Sequence, residues 1–164
     1  MNASINPDSP NSIRDALESM GIALKKRWGQ NFLISRAARR RIFEASDPLP
    51  GELIWEIGPG LGAMTSELLD HGSRVTAFEI DRGLCAYLTE VFGGSAGFTL
   101  VPGDFIKTWR SAAEAETPGK IIGNLPYRSA SLMIAALVES GPACERFVFV
   151  FWASSLTSGS LAGG

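Results

Sequence analysis

Residues 53–69 read LIWEIGPGLGAMTSELL, and they join a short apolar run to a glycine-rich turn and a helical pattern. The first five residues have the length and apolar content of a buried strand. Gly58, Gly60 and Gly62 permit a tight backbone turn and let a ligand approach without interference from Cβ atoms. The helix predicted at Ala63–Leu69 would present N–H groups at its amino terminus. This order is equally consistent with a nucleotide- or nucleoside-binding α/β protein and with an ordinary strand–helix turn.

The rest of the chain repeats this alternation of strands and helices. Further strands are predicted at Arg74–Ile80, Phe98–Val101, Ile121–Ile122 and Phe147–Trp152, and further helices at Leu84–Phe92 and Ala130–Val138. Strands that alternate with helices imply a parallel sheet covered on both faces. We therefore expect an α/β fold with a doubly wound, mostly parallel sheet.

Both ends of the chain depart from this pattern. Residues 1–11 are polar and are predicted to be a disordered lead-in, after which Ser12 opens a capping-box pattern for a helix that ends at Gly21. Residues 12–152 are predicted to be the folded domain. Residues 153–164, ASSLTSGSLAGG, are small and uncharged and are predicted to be a disordered tail.

Basic residues are concentrated near the amino terminus. The 164-residue chain has a formal net charge of −2, yet eight of its 15 Lys and Arg residues lie between Arg14 and Arg41. A helix following Ser35 is predicted to carry Arg36, Arg39, Arg40 and Arg41 on its exposed face. Such a patch can bind phosphate groups even on an acidic chain, although a solvated helix face explains it equally well.

Several classes of function lack the residues that they need. His71 is the only histidine, and its position before Gly72 favours a helix C-cap over a catalytic role. Cys85 and Cys144 match no metal or redox spacing. The amino terminus lacks the apolar core of a signal peptide, and the longest apolar run, 147–153, is too short to span a bilayer. We expect a cytoplasmic protein.

Two carboxylates follow predicted strands. Glu79 lies 21 residues after Gly58 (79 − 58), which suits a residue that accepts hydrogen bonds from ribose hydroxyls, although it could be a surface acid. Asp104, in Gly103-Asp104-Phe105, could accept from an adenine amine while Phe105 packs on the ring. For Asp104 taken alone, the alternative of a helix N-cap is favoured.

The glycine pattern helps to choose between cofactors that contain a nucleoside. The dinucleotide fingerprint is G-x-G-x-x-G, whereas this loop is G-x-G-x-G. Glu56 before the loop would crowd a pyrophosphate, but a cofactor with a sulfonium and an ammonium group tolerates nearby acids. The pattern therefore favours S-adenosylmethionine over NAD.

Residues 121–131, IIGNLPYRSAS, follow another predicted strand. Asn124 offers an acceptor oxygen, Pro126 stiffens the predicted loop, and Tyr127 offers a ring face for a base. The carboxyl ends of parallel strands form the ligand crevice of a doubly wound sheet. We therefore interpret this segment as a site for the planar amine of a nucleobase.

Five ordered motifs carry a family resemblance. They are GQNFL (29–33), EIGPGLGAMT (56–65), FEID (78–81), GDF (103–105) and GNLPY (123–127). Together they resemble the small-subunit (16S) rRNA adenine N6,N6-dimethyltransferases, and the macrolide-resistance rRNA methylases share much of the pattern. The resemblance implies a Rossmann-like class I methyltransferase that transfers methyl groups from S-adenosylmethionine to N6 of adjacent adenosines during ribosome biogenesis. It covers roughly residues 10–151, so 12–152 would be an incomplete catalytic domain without the final strands and the C-terminal helical domain.

The resemblance also implies roles for individual residues. Those expected to bind the cofactor are Asn31, Leu33, Gly58, Gly60, Glu79, Asp104 and Asn124. Those expected to hold and orient the target adenine are Asn124, Leu125, Pro126 and Tyr127, and those expected to follow rRNA phosphates are Lys25, Lys26, Arg27, Arg39 and Arg40.

The implied partner is small-subunit rRNA in an immature small ribosomal subunit, with no membrane and no metal. We expect a monomer whose apolar strand at 147–152 has an unpaired edge, which carries a risk of aggregation. Two alternatives stay open: an inactive fragment that binds only S-adenosylmethionine or rRNA, and a nicotinamide-dependent oxidoreductase.

Overall fold

The computed structural model describes residues 9–19, 21 and 36–152 of the chain. Its helices are α1 (Pro10–Ser19), α2 (Arg36–Ser46), α3 (Ala63–Asp70), α4 (Arg82–Phe92), α5 (Phe105–Ala115) and α6 (Tyr127–Ser140). Its strands are β1 (Leu53–Ile57), β2 (Arg74–Glu79), β3 (Phe98–Pro102), β4 (Lys120–Pro126) and β5 (Arg146–Trp152).

The strands form a single parallel sheet in the order β3-β2-β1-β4-β5. The chain builds outward from β1 through β2 and β3, and it then returns to place β4 on the other side of β1. This arrangement confirms the predicted doubly wound fold, and it puts the change of winding direction between β1 and β4.

The largest differences from the sequence prediction are in α5 and β4. Helix α5 was not predicted, and β4 continues to Pro126 although its strand was predicted to end at Ile122. β4 pairs with β1 through Gly123 and with β5 through its whole length. Pairing with β5 therefore extends the strand past Gly123, despite the low strand propensity of the Gly, Asn and Pro residues.

Apolar layers cover both faces of the sheet. On one face, Trp55 and Phe78 form an edge-to-face aromatic cluster with Phe105 of α5, with ring centroids 5.0 to 6.3 Å apart. On the other face, Ile54 and Ile122 pack with residues of α2 and α3. The edge-to-face geometry adds to the stabilisation that burial of the rings supplies.

Helix α1 begins earlier than its sequence pattern indicated. The Ser9 hydroxyl accepts a hydrogen bond from the Ser12 amide at 3.3 Å, so Ser9 and not Ser12 lies at the start of the helix. Pro10 fits the first turn because the amide it lacks would have no partner there. Ile13 and Leu17 bury the helix against Leu84 of α4.

Gly62 is the glycine of the loop that packing most restricts. Its φ is 76°, and an added Cβ would collide with the Phe92 ring and lie 3.2 Å from Leu88 Cδ2. We expect Gly62→Ala to lower the free energy of unfolding by about 1–3 kcal/mol, from overpacking and backbone strain. Urea denaturation measures the loss. Gly94→Ala is the matched control, since no atom lies within 4 Å of its added Cβ, and equal losses in both variants would contradict the prediction.

Candidate active site

The crevice at the change of winding direction contains two of the sequence motifs. Ile57 and Gly123 are register partners at the ends of β1 and β4. The glycine loop, residues 58–62, follows the first strand, and Asn124 lies next to Gly123. A Cβ added to Gly58 would lie 3.8 Å from the Asn124 carbonyl oxygen, its sole neighbour within 4 Å in the described part of the chain. Among the described residues, no side chain thus lies against the space between the Gly58 Cα and the Asn124 carbonyl oxygen, and we call this space the cradle.

The other two motifs continue along the same edge of the sheet. The Gly58 amide donates to the Phe78 carbonyl at 3.0 Å, and the Gly103 amide donates to the Glu79 carbonyl at 2.7 Å. The glycine loop, Glu79 and Gly103 therefore lie side by side at the carboxyl ends of β1, β2 and β3. The expectation that the four motifs share one edge of the sheet is confirmed.

Glu79 is a buried carboxylate, with 4% of its surface exposed. Its Oε1 accepts from the Asp81 amide at 2.8 Å. Burial raises the pKa of Glu79, and hydrogen bonds from the backbone of Asp81, Ile80 and Gly60 act in the opposite direction. The Gly60 interaction links this carboxylate to the glycine loop.

Ile80 is a site residue that sequence analysis missed. It follows Glu79 directly, and 56% of its surface is exposed. An exposed large apolar side chain between two polar motifs of a crevice offers a surface for the planar part of a ligand. The signal in the sequence was that the apolar run of β2 continues one residue past the acid.

Glu56 is a second buried carboxylate, at the end of β1. Its Oε2 accepts from the Thr65 hydroxyl of α3 at 2.6 Å, so this hydrogen bond connects the two elements that flank the glycine loop. Burial raises the pKa of Glu56 to about 7; the Thr65 hydrogen bond opposes that rise, and the charges of Glu79 and Glu67 add to it.

This pKa predicts a pH dependence of stability. Because the folded-state pKa of Glu56 lies above 4.5, its contribution is fully present below about pH 4.5 and is lost as pH rises through about 7. Between pH 5.5 and 8, we expect the wild type to lose roughly 2 kcal/mol of stability relative to Glu56→Gln. Urea denaturation across this range measures the difference. Glu114→Gln, on the exposed side of α5, is the control, and parallel pH profiles for wild type and Glu56→Gln would refute the assignment.

Asp104 is the N-cap of α5, which is the alternative that the sequence favoured for this residue alone. Its Oδ1 accepts from the Ile106 amide at 3.0 Å. The suggestion that Phe105 packs on a ligand ring is wrong, because Phe105 is 3% exposed and packs in the aromatic core. As the first residue of α5, Phe105 turns toward the sheet.

The GNLPY segment is mostly strand, so the prediction of a loop there is wrong. Asn124 is partly exposed at the crevice. Leu125 is 2% exposed and belongs to the core, so its side chain does not line the crevice. Pro126 ends β4 and Tyr127 begins α6.

The basic patch is divided between exposed and buried residues. Arg36, Arg40 and Arg41 are exposed on α2. The prediction that Arg39 lies on this face is wrong, since it is 4% exposed and its Nε lies 3.3 Å from Glu67 Oε1. Predicted site residues outside the described ranges are Lys25, Lys26, Arg27, Asn31 and Leu33.

His71 occupies the C-cap of α3, the position that the sequence indicated. Its Nε2 lies 3.0 Å from the Pro48 carbonyl oxygen, and its ring packs edge-to-face on Phe43. In residues 9–19, 21 and 36–152, no group of three or more His, Cys, Asp or Glu side chains could hold a metal ion. Within the same ranges, no helix has both the length and the apolar character needed to cross a membrane.

Comparison with known proteins adds a family match. The family model described as Ribosomal RNA adenine dimethylase matches residues 21–157. The chain is 42% identical over 147 residues to Ribosomal RNA small subunit methyltransferase A of Treponema denticola, covering 88% of this chain and 50% of the relative. It is 45% identical over 139 residues to the protein of the same name from Borreliella burgdorferi, covering 85% and 49%. The chain thus spans about half the length of the curated relatives it matches.

Solved structures agree with the fold. The 23S rRNA methyltransferase ErmE superimposes with a TM-score of 0.62 at 32% identity, over 74% of this chain and 48% of that one. A dimethyladenosine transferase from Plasmodium falciparum has a TM-score of 0.58 at 21% identity, over 70% and 40%, and shows a shared fold.

Proposed function

The chain belongs to the ribosomal RNA adenine dimethylase family, and from this we propose that it uses S-adenosylmethionine to methylate adenosines of small-subunit rRNA. The modified atom would be N6 of adjacent adenosines, and the work would be done in the cytoplasm during ribosome biogenesis. The observation that carries the proposal is the cradle between Gly58 and Asn124, against which the described residues place no side chain.

The residues along the crevice fit this cofactor. Gly58 leaves room for its methionine part, with Gly60 in the same loop, and the buried carboxylate of Glu79 suits the ribose hydroxyls. Ile80 offers an apolar face for the adenine ring. Asp104, which follows β3 at the same edge of the sheet, would accept a hydrogen bond from the adenine amine. When bound, S-adenosylmethionine supplies an electrophilic methyl group on a positively charged sulfur.

The target base would lie on the other side of the cradle. Asn124 would accept a hydrogen bond from the N6 amine and hold the nitrogen in line for attack, while Tyr127 would stack on the base. The base must first leave its stack, which costs a few kcal/mol. Catalysis would then rest on positioning and on preorganised acceptors, and it requires no strong base.

The exposed arginines of α2 would bind rRNA. Arg36, Arg40 and Arg41 share one helix, and they would contact phosphates together with Lys25, Lys26 and Arg27. Phosphate contacts supply affinity that falls with salt but little sequence information. Arg39 is left out of this set because it is buried against Glu67. We propose that the protein acts as a monomer.

A second function has an observation in its favour. Strand β5 lies at the edge of the sheet, with Phe147 and Phe151 at 40% and 44% exposure. In this alternative, the chain would bind S-adenosylmethionine or rRNA without transferring a methyl group.

Labelled methyl transfer distinguishes these functions. The chain is incubated with radiolabelled S-adenosylmethionine and immature 30S particles that lack adenine methylation, and calorimetry with S-adenosylmethionine and NADH is run in parallel. Label on N6 of adenine supports the enzyme, and binding of S-adenosylmethionine without label supports the binding module. Binding of NADH but not of S-adenosylmethionine would overturn both.

A further inference from the structure

The two buried carboxylates beside the glycine loop lie on the same face of neighbouring strands. Glu56 is the register partner of Ala77, and Glu79 lies two residues further along the same strand as Ala77. Each is 4% exposed. Glu79 therefore lies diagonally across from Glu56 on the neighbouring strand, and we call these two buried side chains the carboxylate unit.

Among the residues that the structure describes, the groups that face Glu56 offer almost no positive charge. From α3 it receives the Thr65 hydroxyl and faces the charge of Glu67, and from β2 it faces the charge of Glu79. Its register partner on β4 is the apolar Ile122. The nearby cation on α2, Arg39, is paired with Glu67. In the part of the chain that the structure describes, neither Glu56 nor Glu79 forms an ion pair with Lys or Arg.

A buried negative charge without a neighbouring cation raises the free energy of the folded protein. A proton on one of the two carboxylates lowers that free energy. We propose that Glu56 senses the charge of the ligand: it keeps a proton while the glycine loop is empty and releases it to solvent when a cationic ligand binds there. The O–H bond of the carboxyl breaks, the proton passes to the buffer, and the Thr65 hydroxyl donates to the carboxylate that forms. The raised pKa of Glu56, about 7, places this exchange in the neutral range.

The consequence is that the site would prefer a ligand whose sulfur atom carries a positive charge. This inference rests on the proposed function, because the cation is taken to be S-adenosylmethionine. Its product, S-adenosylhomocysteine, has the same amino acid and nucleoside parts but no charge on sulfur. Glu56 would therefore strengthen binding of the methyl donor more than binding of the product.

Calorimetry in buffers of different ionisation enthalpy measures the protons released on binding. At pH 7, we expect about half a proton from Glu56 per S-adenosylmethionine bound and less with S-adenosylhomocysteine. The ligand's own α-amino group also titrates near this pH, so the readout is the difference between wild type and Glu56→Gln. From pH 6 to 8, we expect wild-type affinity to rise about tenfold more than that of the variant.

Two further variants complete this experiment. Glu114→Gln, exposed on α5, should release protons as the wild type does. Thr65→Val removes the hydroxyl donor and should shift the pH midpoint of binding upward, which tests the inference even where Glu56→Gln folds poorly. Binding of S-adenosylmethionine with equal proton release in wild type and Glu56→Gln would overturn the inference and leave the proposed function standing. Absence of binding from pH 6 to 8 would overturn both.

Discussion

Methyl transfer to small-subunit rRNA should fall by about 10²–10³ in Asn124→Ala, while affinity for S-adenosylmethionine changes by less than about threefold. The two effects separate because different atoms of Asn124 are involved. The backbone carbonyl that faces Gly58 is retained in the variant, and the side-chain amide that would accept from the target amine is lost. Single-turnover transfer of labelled methyl groups measures the first effect, and calorimetry measures the second.

Asn124→Asp and Ser131→Ala are the companion variants for this experiment. Asn124→Asp keeps an acceptor oxygen at the same position and should retain more transfer than Asn124→Ala. Ser131 is exposed on α6, and its loss should leave both measurements unchanged. A loss of cofactor affinity in Asn124→Ala as large as the loss of transfer would mean that Asn124 serves the cofactor alone.

Affinity for S-adenosylmethionine should fall by at least about 100-fold in Glu79→Ala, because two charge-assisted hydrogen bonds to the ribose would be lost. The carboxylate is already buried and held by backbone amides on both sides, so little side-chain freedom is lost on binding. Calorimetry measures the change, and circular dichroism checks that the variant is folded.

Glu79→Gln separates charge from shape. It keeps one acceptor oxygen, so its affinity should lie between that of the wild type and that of Glu79→Ala. Asp70→Asn, exposed on α3, controls for the loss of a carboxylate from the surface and should bind as the wild type does. Unchanged affinity in Glu79→Ala would remove this residue from the ribose site.

Local patterns were sufficient to predict the sheet. The apolar runs at β1, β2, β3 and β5 are long enough to identify buried strands, and the intervening helices imply parallel pairing. Helix α5 was not predicted, although Phe105 and Trp109 have helical spacing. The second half of the helix is mostly small or polar, so the apolar periodicity covers only about one turn. The length of β4 depends on its two neighbours, and pairing across the sheet cannot be deduced from one segment.

The sequence predicted where the candidate site lies better than it predicted which residues contact one another there. Strand ends placed the glycine loop, Glu79 and Asn124 along one edge. The burial of Arg39 could not be deduced, because its partner Glu67 lies on another helix. Leu125 and Phe105 were assigned to a ligand, but alternation along β4 points Leu125 into the core, and Phe105 packs there as the first residue of α5. The alternation along β1 does place Glu56 on the same face of the sheet as Ile54. This alternation was the feature of the sequence that could have predicted the carboxylate unit.

The order of the strands also governs how the site can assemble as the chain folds. The cofactor half of the crevice comes from β1, β2 and β3, which are consecutive in sequence and close short loops when they pair. Asn124 joins the site only when β4 pairs with the free side of β1. The chain between these two strands includes α4, β3 and α5, so this pairing closes a longer loop and costs more loop-closure entropy. Low contact order favours the first group kinetically. A chain that emerges from the ribosome can thus complete its cofactor half before the segment that receives the adenine has joined the sheet.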